Sequence, residues 1–356
     1  LAERIISGRR ASTGLSRRAL LAGTCGTWGA RAQSRDIPSD LKTPYKLDRL
    51  VVAPGTREGE FDSKGVDCPF VYYHGGLYWM TYVGFDGTGY QTGLASSTDL
   101  MRWRKEGLIL RRDPSNPVTR HNVALTWIVR ENDLFDRGHL KKVKGRYLGT
   151  YHAYPNPGYE EGPAVIGLAW SEDKREWKLD PPCLTSEDGA DWERGGLYKS
   201  CLVEYDETYY MFYNAKNKAT PWHEQVGVAT SSDLKTWTRY PGNPILVNGP
   251  AGSLDEIFAS DPCVLRYGDV WAIFYYSLDK RGVARDLLAI SKDLKSVTKC
   301  DGVLVDVGPP GSVDSRYAHK PSLVWRDGVL YHFYCAVSKE RGRGISVAAS
   351  KPWPKS

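Results

Sequence analysis

The residues best placed to do chemistry in this 356-residue chain stand where polar segments meet apolar runs. Asp67 and Asp261 each lead through or into a proline toward an apolar stretch. Lys199, His319-Lys320 and His121-Asn122 hold the corresponding place before three other stretches. Segments that adjoin these positions add Glu160, Glu161, His223, Glu224, Arg281, Arg285, Asp286 and Arg341. A single Asp before Pro caps a turn as readily as it serves a reaction. Two of them, in matching places and facing Lys and His from elsewhere, are costly to desolvate without a use. Opposed charges gathered at one pocket mouth mark a candidate site for proton transfer or for binding a charged ligand.

Bringing such scattered residues together requires a repeating framework, and the chain carries one. Phe258–Leu294 shows its unit: a polar start, the apolar run Cys263-Val264-Leu265, a Tyr267-Gly268-Asp269 turn, an aromatic and β-branched run, then a third short run. Strand-forming runs broken by Gly/Asp turns read as an antiparallel meander. Similar units close on Thr98-Asp99-Leu100, Glu172-Asp173, Asp233-Leu234 and Asp293-Leu294, the last three acids about 60 residues apart. Regular self-similarity at this period predicts an all-β fold, a five-bladed β-propeller over residues 36–356. The fifth unit, from His319, lacks an outer strand, so Arg49–Val52 is expected to supply it and close the ring. In that geometry the starts of the innermost strands and the loops between second and third strands converge on one funnel.

Composition agrees with short strands and tight turns. Twelve Trp, twenty-two Tyr, 36 Gly and 21 Pro accompany only three Met. The net charge of +6 is a mild excess, partly carried by the N-terminal arm, and does not call for a nucleic-acid partner. No stretch is long enough to span a membrane. Seven Cys lack CxxC or Cys/His ligand spacing, which argues against structural zinc; most read as core filler. Residues 1–35 are free of acids from Arg4 to Arg35 and contain Ser16-Arg17-Arg18-Ala19-Leu20-Leu21 and Ala30-Arg31-Ala32. They read as a twin-arginine export signal, placing the protein in the periplasm or outside the cell.

The Asp-initiated strands, the Gly93-Leu94-Ala95-Ser96-Ser97-Thr98-Asp99-Leu100 type of unit ending with its following Trp103, and the count of five units resemble the five-bladed propeller glycoside hydrolases. That group includes family 43 enzymes, the invertase and levansucrase-type enzymes, and mannoside phosphorylases. Gly195–Ser200 and Phe258–Pro262 are similar to segments of family 43-like glycosidases. The resemblance implies hydrolysis of plant or microbial oligo- or polysaccharides by inversion, with one carboxylate as base and one carboxyl as acid. It implies Asp67 as the base and Asp261 as a second, tuning carboxylate. Glu224 is the first choice for the acid, Glu193 the second and Glu161 the third. His121, Asn122, Lys199, His223, Arg285, His319 and Lys320 are then expected around the substrate. Cations at the funnel suit an anionic sugar or, in a phosphorylase, phosphate. No organic cofactor is implied; His319 is a candidate to hold a central ion. A non-catalytic sugar-binding propeller is the reading from another class.

Overall fold

The computed structural model describes residues 36–354, so the export signal read from residues 1–35 lies outside the described residues. Strand β1 (Tyr45–Lys46) is followed by β2 (Gly65–His74), β3 (Leu77–Phe85), β4 (Tyr90–Ser97) and β5 (Arg104–Leu110), which pair in sequence as an antiparallel meander. A second meander comprises β6 (Ala124–Ile128), the short β7 (Lys142–Val143), β8 (Arg146–Ala153), β9 (Val165–Ser171) and β10 (Lys178–Leu184). The third is β11 (Gly196–Tyr205), β12 (Thr208–Lys216), β13 (Glu224–Ser231) and β14 (Thr238–Arg239). The fourth is β15 (Phe258–Tyr267), β16 (Val270–Leu278), β17 (Ala284–Ser291) and β18 (Val297–Lys299). The last, β19 (Tyr317–Arg326), β20 (Val329–Ser338) and β21 (Gly342–Ala349), takes β1 as its outer strand. The fold is all-β, as expected, and among the described residues no helix is long and apolar enough to cross a membrane.

The N-terminal partner of β21 is not quite the one expected. Tyr45 and Lys46 pair with Ala349 and Ala348, whereas of Arg49–Val52 only Val52 makes a bridge, to Ile345. Between them Ser346 Oγ lies 2.9 Å from both the Leu47 and Arg49 carbonyl oxygens, so the chain bows away from the ladder there. The expected run pairs only at its end, where the Val51 N–H donates to the Ile345 carbonyl at 2.7 Å, and the regular ladder lies earlier, at Tyr45–Lys46.

One polar device recurs in the meanders and shows why they are built alike. A buried acid from the segment before the first strand meets a tyrosine from the second strand and a cation from the outer strand. Asp62 accepts from Tyr82 (3.1 Å) and Lys105 (2.6 Å) in the first meander. Asp255 takes Tyr275 and Lys299 in the fourth, and Asp314 takes Tyr334 and Lys46 in the fifth. Each set satisfies a buried carboxylate between two layers of strands, where an unpaired one would cost several kcal/mol, on the order of 3–5. Lys46 lies on β1, so the N-terminal strand completes the fifth set as well as the fifth meander.

The second meander differs. Its first strand is short, and the insertion at 129–143 runs across the far ends of the other meanders. Arg130 donates to the Leu323 carbonyl at 2.8 Å and to that of Val71 at 3.3 Å, Asn132 to that of Glu204 at 2.7 Å, and Arg137 pairs with Asp327. Phe135 packs edge-on against Trp325, 4.9 Å between ring centres. This crossing ties the first, third and fifth meanders at the end opposite the pocket described next.

Candidate active site

Four of the five first strands carry an irregularity at the same place. In β2, β11, β15 and β19 two residues oppose one on the neighbouring strand: Cys68-Pro69, Lys199-Ser200, Asp261-Pro262 and Lys320-Pro321. The first residue of each pair has left-handed backbone geometry, φ of 47°, 43°, 50° and 68°. A non-glycine residue pays about 1–2 kcal/mol for this. Proline at the next position already disfavours the right-handed helical region, which lessens the choice available to three of the four. The bulge turns the side chain off the face of the strand. As a result Cys68, Lys199, Asp261 and Lys320 all line one pocket, with Asp67, Tyr90, His152, Glu160 and Tyr198. The structural counterpart of Asp261 is therefore Cys68; Asp67 sits one step earlier, level with Tyr198 and His319. Matching the two segments by their Asp residues misses this one-residue offset, whereas the prolines that follow, Pro69 and Pro262, stand in register.

Lys320 is the electrostatic hub. Its ammonium stands 3.1 Å from Asp67 Oδ2, 3.6 Å from Glu160 Oε1 and 3.9 Å from Asp261 Oδ2. Asp67 Oδ2 also accepts from Tyr159 Oη at 2.6 Å and Arg343 Nη1 at 2.8 Å, while Oδ1 accepts the Cys68 N–H. Burial pushes the Asp67 carboxyl up, but Lys320 and Arg343 outweigh it and hold the group well below the usual carboxylate range. Asp67 is thus a fixed anion whose acceptor positions are taken.

The other buried acids behave oppositely. Burial lifts Asp261 to about 7, against the pull of Lys320 and Lys199. Burial and the charge of Glu160 lift Glu224, although three donors hold it: Tyr198 Oη at 2.5 Å and Trp222 Nε1 at 3.0 Å on Oε1, and Asn214 Nδ2 at 3.0 Å on Oε2. Asn214 reaches Asp261 Oδ1 as well, at 3.2 Å, linking the two acids. Glu224, Glu160, Asp261 and Tyr198 share the outer part of the pocket, walled by Phe258, Tyr276 and Tyr317. Trp222, 40 % exposed, stacks with Phe258 at the rim. Acid groups driven apart in protonation within one connected pocket are the arrangement that acid–base chemistry requires.

Of the residues singled out in the sequence, Asp67, Asp261, Glu160, Glu224, Lys199, His319 and Lys320 line this pocket. The others stand elsewhere. Glu193 caps a short 3-10 turn by accepting the Ala190 N–H at 3.0 Å, and pairs with Arg239 at 3.1 Å. Together with Tyr213 these make the third meander's version of the acid–Tyr–cation set, so its role is in the framework. Asn122 is buried, accepting the Tyr90 N–H at 2.7 Å and donating to the Asn156 carbonyl at 2.8 Å; it ties two loops together. Arg285 is held by Asp279 (3.0 Å) and Asp306 (2.7 Å). His121 and His223 do not line the pocket, and the His223 N–H donates to Asn217 Oδ1. Glu161 is exposed, while its neighbour Glu160 faces inward, its backbone left-handed at φ 60°.

Tyr159, Tyr198, Asn214 and Arg343 complete the site without having been singled out. Their signal was weak because each lies in or beside a strand where the same residue type also serves as filler. Among the described residues no group of three or more His, Cys, Asp or Glu is placed to hold a metal ion.

Comparison with known proteins agrees with this geometry. The family described as Glycosyl hydrolases family 32 N-terminal domain matches residues 132–309, half of the chain. The chain belongs to that family. The matching family is 32, not the family 43 to which its segments were likened. A solved structure described as a BT0996 RGII complex is 33 % identical, covers 89 % of this chain and 94 % of its own, and superposes with a TM-score of 0.79. Two curated relatives align over shorter stretches. A 1,2-beta-oligomannan phosphorylase of Thermoanaerobacter sp. (strain X514) is 26 % identical over 39 % of this chain and 38 % of its own. A levanase of Bacillus subtilis (strain 168) is 28 % identical over 47 % and 24 %. The alignments thus span well under half the length of either curated relative. Family and fold place the chain among glycoside hydrolases and phosphorylases, with a propeller-like all-β architecture.

Proposed function

We propose that this chain is a glycoside hydrolase acting on plant or microbial oligo- or polysaccharides, and that its five meanders are the blades of a closed propeller. The observation that carries the reading is Glu224: a buried carboxyl raised in part by the charge of Glu160, across the chamber that both residues line. Glu224 is the proton donor to the leaving oxygen. Glu160, half-buried and nearer solvent, is the base that removes a proton from water as the water oxygen attacks the anomeric carbon. The glycosidic bond breaks, the leaving oxygen takes the Glu224 proton, and Glu160 holds the proton from water until solvent removes it. A base with access to solvent suits inversion.

Asp67, assigned as the base by resemblance, takes a different part in this reading. Its oxygens are occupied by four donors, so it anchors Lys320 and Arg343 and supplies fixed negative charge. Asp261, sharing Asn214 with Glu224, tunes the acid. Trp222 offers an aromatic surface on which a sugar beyond the scissile bond stacks, next to the acid it hydrogen-bonds. The relatives' descriptions, a levanase and an RGII complex, support a polysaccharide as the substrate class. We place the activity outside the cytoplasm; cell fractionation tests this.

Turnover of an aryl-glycoside panel, with and without inorganic phosphate, tests the reaction. Hydrolysis independent of phosphate is expected, with first-formed product of the opposite anomeric configuration. Sugar phosphate as the product makes the chain a phosphorylase instead, the activity named for the Thermoanaerobacter relative. Sugar binding without turnover across the panel leaves it a binding protein.

A further inference from the structure

The blind end of the pocket contains donors that nothing in the reaction above employs. Lys199 is 3 % exposed, projects from its bulge into the pocket, and its ammonium makes no hydrogen bond or ion pair among the described residues. Lys320, from the equivalent bulge, lies within 4 Å of three carboxylates; Lys199 has none that close, although its charge acts on Asp261. The side chain is buried while its ammonium still meets solvent within the pocket, so that group is free for a ligand, and left-handed backbone at this lysine costs about 1–3 kcal/mol.

Two further donors face the same pocket. Tyr90 is 3 % exposed and its hydroxyl has no hydrogen-bond partner. The Lys199 N–H donates to His152 Nδ1 at 3.3 Å, which fixes the imidazole as the Nε2–H tautomer and leaves that N–H as a donor. Burial brings the His152 imidazole down to about 3, so it is neutral, and burial keeps the Tyr90 phenol protonated. The unfilled groups are therefore one ammonium, one hydroxyl and one N–H.

We propose that this end of the pocket is a carboxylate subsite, where Lys199, Tyr90 and His152 receive the carboxylate of an acidic sugar in the position cleaved from the chain. A sugar hydroxyl must donate as well as accept, whereas a carboxylate only accepts and so uses all three donors. A phosphate dianion fits less well: one free ammonium faces it, and Asp67, Asp261 and Glu160 share the pocket. The subsite deepens the hydrolase reading and rests on it only for calling the occupant the cleaved sugar.

The test is calorimetric titration of the full chain with galacturonate, galactose, glucuronate, glucose and inorganic phosphate at low salt. At least one uronate is expected to bind about tenfold or more tightly than its neutral counterpart. Lys199→Met removes that preference, and Tyr90→Phe reduces it; thermal melting verifies that each variant is folded. If Lys199→Met does not fold, the wild-type preference and Tyr90→Phe decide. Equal affinity for acidic and neutral sugars, binding of neither, a preference that survives Lys199→Met, or tight phosphate binding without uronate preference overturns the subsite. Hydrolysis is read separately. Selective uronate binding without turnover keeps the subsite and fails the hydrolase reading; turnover of neutral glycosides with no uronate preference does the reverse.

Discussion

At the scale of single residues, the proposed reaction assigns proton transfer to Glu224 and Glu160 and a holding part to Asp67. Glu224→Gln and Glu160→Gln are each expected to lower kcat by roughly 10²–10⁴-fold, with the melting temperature kept, because each removes a proton-transfer group. Asp67→Asn is expected to behave differently, as an anchor. It leaves Lys320 and Arg343 short of their shared anion, and the loss appears as destabilisation of about 3 kcal/mol in denaturant unfolding. Loss of kcat with unchanged stability in Asp67→Asn would return the base assignment to Asp67. Asp261 gives a pH signature. Its folded pKa, about 7, lies above that of an unfolded aspartate, so the folded protein binds more protons between about pH 4 and pH 7. The stabilisation is complete below about pH 4 and is lost as pH rises through 7. Asp261→Asn should flatten the fall in melting temperature over this interval, by up to about 1.4 kcal/mol per pH unit. An unchanged pH slope in the variant would show that the residue is ionised throughout.

The meander is the scale at which framework and site can be told apart. The acid–Tyr–cation set recurs in the first, third, fourth and fifth meanders, through Asp62, Glu193, Asp255 and Asp314. Glu193→Ala and Asp62→Ala are therefore expected to act alike, each costing about 1–3 kcal/mol in stability while kcat stays within about twofold of wild type. A selective loss of activity in Glu193→Ala would restore it as a catalytic candidate. The bulges are the second recurring device. They spend backbone strain so that four side chains leave the strand faces and line one pocket. Strand regularity would have buried these charged groups against the neighbouring strand.

For the molecule as a whole, the N-terminal strand and the insertion of the second meander each hold together elements distant in sequence. β1 covers the edge of β21, and its Lys46 completes the buried set around Asp314. Removing residues up to 52 should expose that edge and unpair Asp314, lowering the melting temperature and promoting association, as seen by light scattering. Lys46→Met tests the charge alone and should destabilise the protein while leaving it monodisperse. Arg130 and Asn132 tie the meanders together away from the residues that line the pocket.

The sequence by itself determined the all-β class, the recurring unit and the presence of acids and cations at the strand starts. Those features are local: turn residues, alternating runs and repeated turn motifs leave a direct trace in the order of residues. It also brought Asp67, Asp261, Lys199, His319 and Lys320 to the site, because matching positions in repeats map to matching places in space, and Glu160 and Glu224 from the segments that adjoin them. Only the tertiary structure decided the rest. Treating Asp67 and Asp261 as equivalent by residue type puts them in one register, but the bulges place Cys68, not Asp67, at the position of Asp261. Glu160 and Glu161 differ only in which way a loop with left-handed backbone turns them. Glu193 has the residue type of a catalytic acid, and only Arg239 and Tyr213, distant in sequence, assign it to the framework. Whether a buried charge serves the framework or the site depends on which partners surround it, and those partners come from other strands.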